Sequence, residues 1–257
     1  MNLILFTEEE LAAGLPLSDP RARHIEEVLR RSPGDGFDIG VIDGPRGRAR
    51  ISRLDGERMH LSYELGETPV APFPVLLFVG LSRPQTMRRI LRDCTSLGVR
   101  GFVFFSTDRG EVGYSESSLW SSGEVRRLLI EGAQQAFTTR LPSVERYPSL
   151  ASLLQPSPPK LDLLAALDNY EAPSSLDLRL KATSRESSAV GPPPSVGLFV
   201  GSERGWSDGE RSLFRSRGVA LAHLGERVLR SDVACLAAVS IVLSELGYHD
   251  RKASLED

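Results

Sequence analysis

The 257-residue sequence is poor in lysine, cysteine and histidine, and each shortage narrows what the chain can be. Only three of its 31 basic residues are lysine (Lys160, Lys181 and Lys252), and acids outnumber bases for a formal charge of −3. That balance argues against a protein held to a polyanion by bulk charge, and leaves room for a local basic patch. Arginine suits planar, bidentate contact with phosphate and base edges; a genome that favours arginine codons explains the same bias. Two cysteines, Cys94 and Cys235, are too few for a disulfide framework or a cysteine zinc cluster. Both lie in apolar helical patterns and read as packing residues. None of the four histidines has a metal-like partner at short spacing, and no Ser-His-Asp arrangement is suggested. Hydrolase and metalloenzyme chemistry is therefore set aside. The longest apolar stretch, Val233 to Leu243, is half a membrane span, and the apolar start gives way to TEEE too soon for a signal peptide. A cytoplasmic protein is expected. A phosphate loop (GxxxxGK followed by Ser or Thr) and the dinucleotide fingerprint GxGxxG are also absent.

What is present suffices for a buried core: 40% of residues are apolar and 25% charged. Up to about Thr68 the sequence reads as β. A short helical signal spans Pro20 to Arg30, and strand candidates at Gly36–Ile42, Gly47–Leu54 and Arg58–Leu65 are separated by the turns SPGDG, DGPRG and LDGE. Short strands with glycine turns predict a small barrel over 1–70. The proline-bearing TPVAPFP (Thr68 to Pro74) reads as a linker.

Beyond it, over 71–257, apolar strands alternate with helices. Strands are expected at Val75–Leu81, in GFVFF, and at Leu161–Leu167, Ser195–Gly201 and Val219–Leu224. Helices are expected from Pro84 to about Leu97, about Ser122 to Phe137, after a Ser207–Glu210 capping box, and from about Ser231 to Leu246. Strands apolar throughout, in alternation with helices, predict an α/β fold with a parallel sheet covered on both faces. The Ser- and Pro-rich stretches Gln155–Pro159 and Ala172–Pro194 read as mobile loops.

Three segments could carry chemistry. GSERGWSDGE (Gly201 to Glu210) follows a buried strand and opens a helix, where ligands gather in parallel sheets and helix amides add positive potential. LGERVLRSDVACLAAVSIVL (Leu224 to Leu243) places Arg230 and Asp232 at the start of a helix apolar nearly all round, which suits a core or a subunit interface. SRPQTMRRILRDCTSLGV (Ser82 to Val99) carries Arg83, Arg88, Arg89 and Arg92 at the start or on one side of a helix, a possible phosphate-binding face. Taken singly, these read more readily as a strand-to-helix turn, a capped core helix and a solvated helix face than as sites.

Their order is informative. HIEEVLRRSPGD from His24, LSRPQTMRRILRDCTSLGVRGFVFFSTDRG (Leu81 to Gly110), AQQAFTTRLP (Ala133 to Pro142), FVGSERGWSDGE and LGERVLRSDVA together resemble the signatures of the bacterial 16S ribosomal RNA (uracil-N3) methyltransferases. These form the RsmE type within the SPOUT superfamily of knotted methyltransferases, and the resemblance covers nearly the whole chain. It implies an N-terminal PUA-like β-barrel that helps hold RNA, and a C-terminal SPOUT domain with a deep trefoil knot that dimerises through its knotted part. It also implies S-adenosylmethionine as cofactor, no metal and no membrane, and the RNA of the small ribosomal subunit as partner.

By the same resemblance the cofactor lies among Leu167, Gly201, Ser202, Glu203, Gly205, Leu224, Gly225, Val228 and Leu229. Arg230 would stabilise a uracil anion, and Glu203 or Asp232 would orient it or accept the proton. His24, Arg30, Arg83, Arg88, Arg109 and Arg140 would hold RNA. The sequence departs from the family pattern at Ser202, Arg204 and Trp206, where proline, glycine and phenylalanine are usual. It departs again at Ser96, Thr138, Asp232 and Val233. Two alternatives stay open: a SPOUT enzyme acting on another RNA position, and a catalytically inactive RNA-binding assembly protein.

Overall fold

Six strands of the sequence form one parallel sheet. In the computed structural model, which describes residues 3–67, 69–155, 157–186 and 193–250, the chain divides into two compact units. One comprises Met1–Ala71 with Ile130–Leu141, and the other Pro72–Leu129 with Pro142–Asp257.

The first unit holds β1 (Ile4–Phe6), α1 (Glu8–Ala13), β2 (Leu15–Pro16), α2 (Pro20–Arg23) continued by a π-turn at His24–Val28, β3 (Gly36–Val41), β4 (Arg46–Leu54) and β5 (Arg58–Glu67). They make a five-stranded sheet in the order β1-β3-β4-β5-β2, with β1 parallel to β3 and the other pairs antiparallel. All three β1 residues are buried, so the strand has two apolar faces to cover. Ile4 and Phe6 join the core of Leu11, Ile25, Phe37, Ile39, Ile51 and Met59. Leu3 and Leu5 meet Ala133, with Ile130, Phe137 and Leu141 around them. Segment 130–141 is fastened to the β3–β4 turn as well: Asp43 N donates to Thr139 O (2.8 Å) and Thr139 Oγ1 to Gly44 O (2.6 Å). The expected linker start, Thr68, lies outside the described residues.

The second unit contains β6 (Phe73–Gly80), α3 (Pro84–Ser96), β7 (Val99–Phe105), the start of α4 (Glu124–Gln135), β8 (Ser143–Tyr147), α5 (Leu150–Leu153), β9 (Leu163–Leu167), α6 (Leu176–Glu186), β10 (Val196–Val200), α7 (Asp208–Ser216), β11 (Ala220–Ala222) and α8 (Ser231–Glu245). The sheet order is β11-β9-β10-β6-β7-β8, and every pairing is parallel. This is the expected α/β arrangement. Pro84 opens α3, and Gly98 at φ +82° turns the chain into β7. Ser207 and Glu210 form the expected capping box of α7.

Three readings change. β6 begins at Phe73, inside the stretch expected to be linker. β8 was not anticipated, because SVERY is a mostly exposed edge strand with no apolar run. Helix α6 occupies much of the stretch expected to be loop: Leu176 and Leu180 are buried at helical spacing despite the Ser- and Pro-rich surroundings. Residues 187–192 of that stretch lie outside the described residues.

The core of this unit is aromatic. Phe78 stacks on Phe199 at 4.4 Å, Phe199 meets Phe214 edge-on at 5.2 Å, and Trp206 meets Phe214 at 4.8 Å. Cys94 and Cys235 are free, buried and within hydrogen-bond reach of each other, which pushes the Cys94 thiol well above its usual pKa.

Candidate functional site

A cavity of about 470 Å³ opens at the carboxyl ends of β9, β10 and β11, within the size range of small-molecule sites. Three loops build it. The loop after β9 supplies Asp168, Asn169 and Tyr170; the loop after β10 supplies Gly201 to Trp206; and the stretch between β11 and α8 supplies Leu224 and Val228 to Arg230. Leu167, Val200, Leu224, Leu229 and Ala234 form apolar walls.

The loops are laced together. Asn169 Nδ2 donates to Arg227 O at 3.1 Å, Ser231 Oγ to Gly201 O at 3.2 Å, and Trp206 Nε1 to Leu167 O at 2.8 Å. Thr107 Oγ1 donates to Ser202 Oγ at 3.0 Å, beside Gly80, where a Cβ would come within 2.9 Å of Ser202 N. Cross-links of this kind fix loop geometry before any ligand arrives.

Below the cavity lies a buried ion pair. Arg211 Nε donates to Asp168 Oδ2 at 2.6 Å, with side-chain exposures of 5% and 1%. Asp168 Oδ1 accepts the amides of Tyr170 (2.6 Å) and Glu171 (2.7 Å). Burial pushes the Asp168 pKa up, but the Glu171 amide, the Arg211 guanidinium and the Tyr170 amide together hold it below the usual aspartate value. Glu210 behaves oppositely: burial raises its pKa despite the amides of Ser207 and Asp108 on its carboxylate.

The sequence-expected cofactor residues Leu167, Gly201, Ser202, Glu203, Gly205, Leu224, Val228 and Leu229 all line this cavity. Gly225 does not; it supplies the positive φ (+113°) of its loop. The unusual residues leave the space open. Trp206 is 1% exposed and turned into the aromatic core. Arg204 points its guanidinium to Glu111 at 3.2 Å, and the positive φ of the loop falls on Gly205 (+65°) rather than Arg204.

Among the candidate catalytic groups, Arg230 lines the cavity, is exposed, and has no ion-pair partner among the described residues. Glu203 also lines it; its Oε1 accepts Arg83 N at 3.0 Å and Thr86 Oγ1 at 3.4 Å. Asp232 does not line the cavity: it is 7% exposed, with Oδ2 paired to Arg89 at 3.0 Å and Oδ1 accepting Val233 N at 3.1 Å.

The candidate RNA-binding residues are spread over both units. Arg88 is held in a bidentate pair by Glu124, both contacts 3.0 Å, and Arg109 reaches Arg204 O. Arg83 stands at the N-cap position of α3 without a capping side-chain hydrogen bond and is exposed. In the first unit Arg30 and Arg140 are exposed, while His24 lines a separate cavity of about 400 Å³ with Arg21 and Gln134.

Asp168, Asn169, Tyr170 and Arg211 were missed from sequence. The available signal was LDNYE directly after an apolar strand, where an aspartate readily caps the two amides that follow. Among the described residues, no cluster of three His, Cys, Asp or Glu side chains is placed to hold a metal ion, and no helix is long and apolar enough to cross a membrane.

The cavity combines apolar walls, backbone groups from three loops and the start of α8, whose N-cap residue offers no capping side chain. That set fits a ligand with a flat, weakly polar ring system and polar ends, such as S-adenosylmethionine.

Comparison with known proteins agrees in kind. The model of the RNA methyltransferase domain matches residues 69–243. The chain is 34% identical to the ribosomal RNA small subunit methyltransferase E of Treponema pallidum, over 98% of this chain and 94% of that one. In fold it is similar to a Legionella pneumophila protein solved with the bound cofactor SAM (TM-score 0.75, 22% identity, 95% and 97% of the two chains). It is similar also to the ribosomal RNA small subunit methyltransferase E of Neisseria gonorrhoeae, solved bound to S-adenosyl methionine (TM-score 0.69, 22% identity, 95% and 97%).

Proposed function

The chain belongs to the RNA methyltransferase family, and on that footing we propose that it transfers a methyl group from S-adenosylmethionine to N3 of a uridine in 16S RNA of the small ribosomal subunit. The observation that carries this reading is the open, laced cavity at the ends of β9, β10 and β11. The names of the relatives and the cofactor bound in two fold neighbours support it.

Uracil N3 bears a proton and is a weak nucleophile at neutral pH, so its reaction needs the proton removed or the anion stabilised. The bound cofactor supplies an electrophilic methyl group activated by a sulfonium charge. Arg230, exposed at the cavity and free of an ion-pair partner among the described residues, offers a cation to charge developing on the uracil. Glu203 is the better-placed proton acceptor: its Oε1 is engaged by Arg83 and Thr86, and its Oε2 has no partner among the described residues. Asp232 has both oxygens engaged and serves to hold Arg89 and the start of α8. Because N3 lies on the pairing edge, the uridine enters unpaired or flipped out.

The same proposal takes the first unit as a PUA-like RNA-holding barrel and the second as a SPOUT domain threaded into a trefoil knot. It takes the molecule as a cytoplasmic homodimer. For the dimer, α8 leaves Val233 (44% exposed), Leu236, Ala237 and Ile241 partly uncovered along one stripe.

Two measurements test the site. Titration calorimetry should show S-adenosylmethionine binding to the purified protein. Arg230→Ala should cut methyl transfer by about 10²–10³-fold, the scale of losing one transition-state charge stabiliser, while cofactor binding survives. Full activity in that variant rejects the role.

A further inference from the structure

Tyr170 is 78% exposed at the cavity, and Val228, also lining it, is 77% exposed. A single exposed aromatic is ordinary; the support beneath this one is not. Its amide and that of Glu171 are fixed on Asp168 Oδ1, and Asp168 is buried against Arg211. The Arg211 guanidinium carbon lies 5.6 Å from the centre of the Tyr170 ring. Asn169, next to it, holds the Arg227 carbonyl. The ring therefore sits on a fixed backbone, with a buried cation near it and most of its surface facing solvent.

A ring held in this way is ready to stack with another π-system. The surrounding charge says which. Glu171, Glu203 and Glu226 are exposed nearby, but Arg227 and Arg230 are exposed as well and have no ion-pair partner among the described residues, so two unpaired cations beside Tyr170 and Val228 can meet phosphate. Aromatic faces beside unpaired arginines are the elements that hold single-stranded nucleic acid. A ring deep in the cavity would meet the apolar walls of Leu167, Val200, Leu224 and Ala234, whereas Tyr170 lines the rim with most of its surface in solvent.

We propose that Tyr170 is a stacking platform for a nucleobase of the unpaired RNA segment that carries the target uridine, with Arg227 meeting the neighbouring phosphate. This rests on the function proposed above and adds a substrate-binding residue to it.

The test compares Tyr170→Ala and Tyr170→Phe with the unaltered protein. Four quantities are read: cofactor affinity by calorimetry, affinity for a uridine-containing single-stranded RNA by fluorescence anisotropy, kcat/KM on small ribosomal subunits, and mass by light scattering. Tyr170→Ala should weaken RNA binding and lower kcat/KM roughly tenfold or more, as expected for loss of one base–aromatic stack. Tyr170→Phe should match the unaltered protein, and cofactor affinity and mass should not change. RNA affinity unchanged in Tyr170→Ala overturns the proposal. So does a parallel fall in cofactor affinity, which places the ring in the cofactor site, or a change in mass, which places it in an interface between copies. If the unaltered protein transfers no methyl group at all, the reading of the function fails, and the RNA-binding comparison still decides the role of Tyr170.

Discussion

Replacing Asp168 by Asn should unmake the support of the cavity floor without emptying it. The side chain keeps nearly the same volume and one acceptor for the amides of Tyr170 and Glu171, and loses the charge that faces Arg211. Arg211 is 5% exposed at its side chain and would retain only Asp208 (3.1 Å, 90% exposed) and Glu171 (3.8 Å, 40% exposed). Removing one partner of a buried pair costs about 3–5 kcal/mol; the two remaining, well-solvated carboxylates put this case near the lower figure. At about 2–4 °C per kcal/mol for a unit of this size, Asp168→Asn should lower Tm by roughly 6–12 °C in calorimetric scans at neutral pH. The pH dependence has a fixed sign. The folded-state pKa of Asp168 is depressed, so its contribution is present above the ordinary aspartate range and is lost only as pH falls through the folded value. The gap between the two proteins should stay constant from neutral pH down to mild acid and close in strong acid. A loss of 2 °C or less at neutral pH would refute the reasoning, because the pair would then be worth no more than a surface ion pair, about 1 kcal/mol.

Arg204→Gly should leave cofactor affinity within about twofold, because Arg204 faces Glu111 and does not take the positive φ of its loop; a large gain in affinity on calorimetry would show that the guanidinium blocks the site. Trp206→Ala should destabilise by about 3–5 kcal/mol, as loss of a fully buried aromatic does, and should impair cofactor binding by freeing the Leu167 carbonyl; chemical denaturation and calorimetry read both. Glu210→Gln isolates the buried carboxylate: its raised folded-state pKa means that the unaltered protein loses stability relative to the variant as pH climbs above the usual glutamate range, and a pH-independent difference contradicts this.

Much of the second unit was legible because its strands are apolar runs bounded by strong punctuation: Pro84 before α3, Gly98 after it, and Ser207 with Glu210 at α7. β8 and α6 escaped for opposite reasons. SVERY lies at a sheet edge and needs few apolar residues, whereas the apolar face of α6 is diluted by polar neighbours. Two of the three cavity loops could be read from motif and position. The third could not be read in detail, because its organiser is the partnership of Asp168 with Arg211, 43 residues apart in sequence and joined only by the sheet. Arginines on α3 that looked like a phosphate-binding face turn out to be engaged: Arg88 by Glu124, Arg89 by Asp232 and Arg92 by Asp93. The positive φ of the 201–206 loop falls on Gly205, so the glycine usual at position 204 is not required for it. Pattern alone could not place it, because the two residues are adjacent in one turn.

The most direct test of the account is to incubate the purified protein with methyl-labelled S-adenosylmethionine and small ribosomal subunits lacking endogenous modification, then locate the label by mass spectrometry of RNA fragments. The account predicts label on N3 of a single uridine in 16S RNA, and label on a ribose or another base, or no transfer by protein that binds the cofactor, would contradict it.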